Sequence, residues 1–248
     1  MIDLSHRGDV AILTMVHGKA NALSIDFCEG LVARLQEASA ARAIVITGKD
    51  RIFSAGVDLP LLLDGGGAYA RQFLPALDRL YDVLFFHPKP IVAAINGHAI
   101  AGGCVLACAT DRRVMAESGG RIGVTELLVG VPFPPLAFEI MRYATTPRFF
   151  PSVIFSGETF LPREAIERGF IDEAVASEAL MERAVTAAET LAALSPQAFA
   201  LTKQQMRQVV AERTANNEGS YGAAVMEVWA AQSSHDYIRA YVARTLKK

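Results

Sequence analysis

Apolar residues fall in short β-branched runs through the first half of the chain and in longer helical periods through the second. Val10 to Met15, Ala43 to Thr47, Ile91 to Ile95 and Arg112 to Met115 predict strands. Between them, Ser24 to Ser39 and Tyr69 to Phe85 repeat apolar side chains every three or four residues and predict helices. This alternation is the order of an α/β fold. From about Pro134 onward the strand signal nearly vanishes. The segments around Pro162 to Arg168, Ser177 to Leu194, Pro196 to Arg213, Ser220 to Ala231 and Asp236 to Leu246 predict helices. The division expected is a core over residues 1–190 and a helical region over 191–248, with no Pro/Gly/Ser linker between them.

Composition narrows the function classes. With 248 residues, 52% of them hydrophobic, the chain can bury a sizeable core. Its 24 basic and 26 acidic residues nearly cancel, so charge gives no reason to expect nucleic acid or an anionic membrane as partner. The opening Met1 to Asp9 lacks the basic start and apolar run of a secretory signal, and apolar runs such as Ile91 to Ile95 are far short of the roughly 20 residues that span a bilayer. Cys28, Cys104 and Cys108 form no CxxC and no metal spacing with histidine; they read as small buried residues of a protein in the reducing cytoplasm. No His/Cys/Asp/Glu cluster has metal-ligand spacing. Asp64-Gly65-Gly66-Gly67 lacks the Lys-Ser/Thr of a phosphate loop and reads as a mobile surface loop, with a lid over a substrate tail as the alternative.

Two glycine-containing turns carry the candidate chemistry. Phe53-Ser54-Ala55-Gly56-Val57-Asp58-Leu59 follows the strand at Ala43 to Thr47, at the edge where ligands of α/β sheets bind. Its small residues would leave the backbone exposed and the Val57 amide free to donate to an oxyanion while Asp58 fixes the turn; a plain small-residue turn at a strand end, common among folds, is the alternative. In the second, the strand Ile91 to Ile95 passes through Asn96-Gly97 into Ala101-Gly102-Gly103-Cys104, where the first turn of a helix leaves amide hydrogens unpaired. Close packing of strand on helix explains that motif equally well. Downstream, Ile122-Gly123-Val124-Thr125-Glu126 presents one carboxylate, whose plain alternative is a charge at a helix start.

Together with Lys19-Ala20-Asn21-Ala22-Leu23, Ser156-Gly157-Glu158, Ala165 to Asp172 and Leu201-Thr202-Lys203, these motifs resemble the crotonase (enoyl-CoA hydratase/isomerase) superfamily over nearly the whole chain. The resemblance implies a ClpP/crotonase-like α/β spiral of ββα repeats, with the C-terminal helical region building trimers or hexamers. It implies an acyl-CoA thioester as ligand, and no cofactor beyond the coenzyme A that the substrate carries. By position, the oxyanion amides would be those of Val57 and Gly102, and Glu126 the acid/base. Contacts to the thioester and its coenzyme A would come from Lys19, Ala20, Ala22, Ala55, Gly56, Asp58, Leu59, Ala101 and Gly103.

One position departs from the hydratases resembled here. Val105 stands where they have a second glutamate that helps activate water, and valine neither accepts a hydrogen bond nor moves a proton. Loss of a general catalyst is worth roughly 10² to 10⁴ in rate. A single carboxylate in an apolar setting, with Val105 in its wall, resembles instead the mitochondrial-type Δ3,Δ2-enoyl-CoA isomerases, whose chemistry needs no water. The apolar wall would also raise the carboxyl pKa. A hydratase, another crotonase-type reaction and a non-catalytic acyl-CoA-binding oligomer are the alternatives. Pro132-Phe133-Pro134-Pro135 either walls an acyl pocket or starts the next helix. His98 has no evident partner and reads as a surface or satisfied-core histidine, and Asp64 and Glu117 read as solvated. Lys203, Arg244, Lys247 and Lys248 read as exposed charges, with contact to the coenzyme A phosphates as the alternative.

Overall fold

The computed structural model describes residues 1–118 and 120–245; Leu246, Lys247 and Lys248, the end of the last predicted helix and two of the predicted surface cations, lie outside them. The chain opens on a hairpin of β1 (Ile2–Arg7) and β2 (Val10–Met15), then helix α1 (Ile25–Glu37), whose N-cap Ser24 accepts from the Phe27 amide. Three units of two strands and a helix follow. They are β3 (Ala43–Thr47), β4 (Ile52–Ser54) and α2 (Leu59–Phe85); β5 (Ile91–Ile95), β6 (His98–Ile100) and α3 (Gly102–Cys108); and β7 (Arg112–Ala116), β8 (Ile122–Gly123) and α4 (Glu126–Val129). The first strand of each unit joins a six-stranded sheet, in the order β1-β2-β3-β5-β7-β9 with β9 at Glu173–Val175. The second joins a three-stranded sheet, β4-β6-β8. Every pairing is parallel except β1 with β2. Two strands laid into two sheets per turn is the expected ββα spiral.

Burial on both faces explains the continuous apolar strands. Ile44, Ile46, Ala93 and Ile95 enter one core with α1, α2 and α3. Their neighbours Ala43, Val45, Val92 and Ala94 enter a second core under α8 (Leu180–Ala192), closed by Ala184, Val185 and Ala188. Between β8 and β9 lie α5 (Pro135–Ala144), α6 (Phe150–Ser156) and α7 (Pro162–Arg168). The end of the chain is helical: α9 (Pro196–Asn217), a single π turn at Glu218–Gly222, α10 (Ala223–Ala230) and α11 (Gln232–Thr245).

Two expectations are corrected here. Gly65, Gly66 and Gly67 form no surface loop; they lie inside the span of α2, which starts ten residues before the predicted Tyr69. Gly66 (φ 60°, ψ −155°) kinks the helix, and a Cβ on Gly67 would sit 2.5 Å from the Ala230 carbonyl oxygen, so the glycines let α10 pack closely on α2. Lys203 is no surface charge. Its side chain is 7% exposed, and its Nζ donates to Asp111 Oδ2 at 2.7 Å, while Arg207 Nη2 donates to Asp111 Oδ1 at 2.9 Å. The Ile91 amide completes the set on Asp111 at 2.8 Å, and Arg207 also donates to the Phe85 carbonyl. Burial pushes the Lys203 ammonium down to about 8, with Asp111 opposing. These bonds pin α9 to the end of α2 and the start of β5. We expect Asp111→Ala, which leaves two buried cations unpaired, to lower unfolding free energy by about 3–5 kcal/mol in a denaturant titration. A change below 1 kcal/mol would show that the cluster carries no load.

Candidate active site

The first candidate turn is held by polar side chains of the loop before α1. Asn21, at φ 46°, takes the His17 amide on its Oδ1 at 2.8 Å and donates from Nδ2 to the Phe53 carbonyl at 3.1 Å. Ser54 Oγ donates to the Asn21 carbonyl at 2.8 Å, and the Ala55 amide donates to the Ala20 carbonyl at 3.0 Å. The Leu23 amide donates to the Gly56 carbonyl at 2.8 Å, and Asp58 returns a bond from its amide to the Leu23 carbonyl at 3.0 Å. Asp58 then caps α2, accepting from the Leu61 amide at 3.0 Å. Between those two bonds the Val57 amide makes no hydrogen bond to a described residue.

Gly56 brings this turn against the second one. Its φ is +81°, and a Cβ there would lie 2.7 Å from the Ile100 carbonyl oxygen and 3.1 Å from the Gly102 nitrogen, so only glycine lets the two segments approach. Ala101, at φ 50° and ψ −125°, is a non-glycine residue in a sparsely populated conformation, the kind of strain that gathers at functional sites. It turns β6 into α3, whose first amide, that of Gly102, also has no backbone acceptor. The other face of Gly102 is held by a residue that the sequence reading missed. Tyr81, 1% exposed, donates its hydroxyl to the Gly102 carbonyl at 2.9 Å. From the sequence it is one apolar position in the stripe of α2.

Glu126 opens α4, a helix of four residues that stops at Gly130 (φ 90°). Its backbone carbonyl accepts from Gly130 at 3.0 Å and Val131 at 3.1 Å, which turns the chain tightly around it. The residue is 8% exposed and its Oε2 has no hydrogen-bond partner among the described residues. Burial pushes its carboxyl up to about 7, against the backbone N–H groups of Glu126 and Thr125, which favour the charged form.

These pieces line one cavity of about 360 Å³. Of the residues predicted for the site, Ala20, Ala22, Ala55, Val57, Asp58, Leu59, Ala101 and Glu126 reach it. Gly56 and Gly102 stand at the junction just described, Gly103 packs on Ser54, where a Cβ would meet the Ser54 carbonyl at 2.3 Å, and Lys19 is exposed on the adjoining loop. Val105 is not in the cavity wall. It is 1% exposed inside α3, and the apolar surface beside Glu126 is made by Ile100, Val129, Val131, Trp229 and Tyr241. Trp229 and Tyr241 come from α10 and α11 and were missed from the sequence, which marks those segments only as helices. The proline run serves two ends: Pro135 starts α5, and the Pro132 carbonyl accepts from Trp229 Nε1 at 2.8 Å. His98 does have a partner, since its Nδ1 accepts from the Arg121 amide at 3.3 Å.

The unspent Val57 amide shares a cavity with the buried Glu126 carboxylate, and the unspent Gly102 amide lies at the junction with Gly56. Such a set suits a reaction that builds negative charge on a carbonyl oxygen while a proton leaves the adjacent carbon. Among the described residues no group of three or more His, Cys, Asp and Glu side chains is placed to hold a metal ion.

Known proteins share this arrangement of elements. The family model described as enoyl-CoA hydratase/isomerase matches residues 6–242. A putative enoyl-CoA hydratase of Thermus thermophilus is 32% identical over 205 residues, covering 80% of each chain. The human mitochondrial enoyl-CoA delta isomerase 1 is 29% identical over 209 residues, 82% of this chain and 69% of that protein. The crystal structure of human mitochondrial delta3-delta2-enoyl-CoA isomerase superposes with a TM-score of 0.93 at 25% identity, covering 99% of this chain and 98% of that one. With its ββα spiral and a family match running from the first strand into the last helix, the chain belongs to the enoyl-CoA hydratase/isomerase, or crotonase, family.

Proposed function

We propose that the protein moves the double bond of a 3-enoyl-CoA thioester to the 2-position, with Glu126 as its single acid/base. The observation that carries this reading is the one buried, unpartnered carboxylate in the cavity. Asp58, the other carboxylate there, is committed to capping α2, and Val105 offers no proton carrier behind it. Glu126 takes the C2 proton, and the C–H electron pair passes into a dienolate whose oxygen receives hydrogen bonds from the Val57 and Gly102 amides. Protonated Glu126 then returns the proton to C4, leaving the double bond between C2 and C3. Each amide is worth roughly 3 kcal/mol of transition-state stabilisation. The reaction as written consumes nothing, so no cofactor is needed beyond the coenzyme A of the substrate. The TM-score of 0.93 to the human isomerase supports it.

Hydration is the second reading, favoured by the name of the Thermus relative at 32% identity. A spectrophotometric assay separates the two. Isomerisation of a 3-enoyl-CoA gives a conjugated thioester whose absorbance rises with time, and a flat trace with folded protein would remove the isomerase reading.

The proposal extends to assembly and location. α9 leaves Leu201, Met206 and Val209 exposed, an apolar surface fit for a second copy. We expect sedimentation equilibrium to give three or six times the chain mass of 26.7 kDa, and a monomer would contradict the oligomer. The three free, buried cysteines accord with the cytoplasm.

A further inference from the structure

α10 and α11 fold back over the cavity of their own chain, and the way they are fastened points to a role. Trp229 is 2% exposed and lines the cavity with Glu126. Its indole Nε1 donates to the Pro132 carbonyl at 2.8 Å, and its own carbonyl accepts from Nε2 of the buried His235 at 3.0 Å. The ring is therefore held from both its edge and its backbone. Pro132 follows Val131 and α4 in the chain, so the first tether fixes the indole on the Glu126 side of the cavity, with Val129 and Val131. The glycine kink in α2 seats the same helix from behind, against Ala230.

We propose that Trp229, with Tyr241 beside it, is a specificity-determining wall that ends the acyl cavity and restricts the enzyme to short and medium acyl chains. This rests on the acyl-CoA reading of the site. A thioester bound between Val57 and Gly102 places C2 to C4 beside Glu126, and the carbons beyond C4 then run along Val129 and Val131 onto the indole. The cavity of about 360 Å³ lies near the small end of ligand pockets and must hold the thioester and reacting carbons as well as the tail. A fixed, fully packed aromatic is a hard stop, because a packed interior does not deform continuously.

The test measures kcat/KM for 3-hexenoyl-, 3-decenoyl- and 3-hexadecenoyl-CoA on the native protein, Trp229→Leu and Tyr241→Ala, alongside calorimetric Kd values for hexanoyl-, decanoyl- and hexadecanoyl-CoA. Native protein should prefer the two shorter chains over hexadecenoyl by at least tenfold, and Trp229→Leu should shrink that ratio at least tenfold. Tyr241 is only half-buried, so Tyr241→Ala supplies the same comparison if Trp229→Leu does not fold, with a smaller change in ratio expected. A native protein with equal kcat/KM and Kd across the series would overturn the proposal, as would folded variants that leave both ratios unaltered. If the native protein turns over none of the 3-enoyl thioesters, the isomerase reading fails, and the saturated acyl-CoA affinities still decide the wall.

Discussion

We expect Glu126→Gln to lower kcat by about 10⁴, the upper end of what one general acid/base supplies, because no other free carboxylate lines the cavity. Binding of a saturated acyl-CoA stays nearly intact, since glutamine keeps the shape and loses only the proton carrier. The native kcat/KM should rise with pH through about 7, the value to which burial pushes the carboxyl, and level off once the base is ionised. Stability should move the other way. The folded state holds the Glu126 proton more tightly than the unfolded chain, so this carboxyl's contribution to stability is complete below the ordinary carboxylate range and is lost as pH rises from 4.5 to about 7. Glu126→Gln should flatten that part of the stability profile. Unchanged kcat in the variant, or a rate independent of pH across this window, would remove Glu126 from the chemistry.

Gly56→Ala should damage the site without touching a titratable group. The added Cβ would meet the Ile100 carbonyl oxygen at 2.7 Å and the Gly102 nitrogen at 3.1 Å, both backbone atoms that cannot rotate away, at a φ of +81° that alanine resists. The wedge separates the segment bearing the Val57 amide from the one bearing the Gly102 amide. Loss of one oxyanion donor costs about 10² to 10³ in kcat, and the strain itself costs about 1–3 kcal/mol of stability. The measurement is steady-state kinetics beside a thermal melt. A lowered melting temperature with native kcat would assign Gly56 to packing alone.

How much of this was legible in the sequence depended on the range of the interactions involved. Ala43 to Thr47 and Ile91 to Ile95 are buried on both faces, so their β-branched runs stand out without any knowledge of their neighbours. The strands β4, β6 and β8 have three, three and two residues, too few for a period to show, and so the second sheet was invisible. β1 was missed because only Ile2 of its six residues is buried, as suits an edge strand with one partner. Val57, Gly102 and Glu126 were singled out by motifs that resemble a family, since local turn chemistry alone reads equally well as a small-residue turn, close strand-on-helix packing and a charge at a helix start. Tyr81, Trp229 and Tyr241 were not, since each acquires its role from a segment far away in the chain, and Lys203 was misplaced because its partner Asp111 lies 92 residues off. The glycine run at 65–67 misled for the opposite reason: its local signal is that of a loop, and packing against Ala230 overrides it.

Val105 has a narrower meaning than its sequence position implied. It does not wall the cavity; what it contributes is the lack of a carboxylate at that point of α3. The central claim is accordingly that this site moves a double bond without directing water. The most direct measurement is mass spectrometry of the products after incubation with 3-enoyl-CoA and, separately, with 2-enoyl-CoA of the same chain length. The account predicts products of unchanged mass in both, with the two isomers interconverting. Rapid conversion of the 2-enoyl thioester to a species heavier by one water would contradict it.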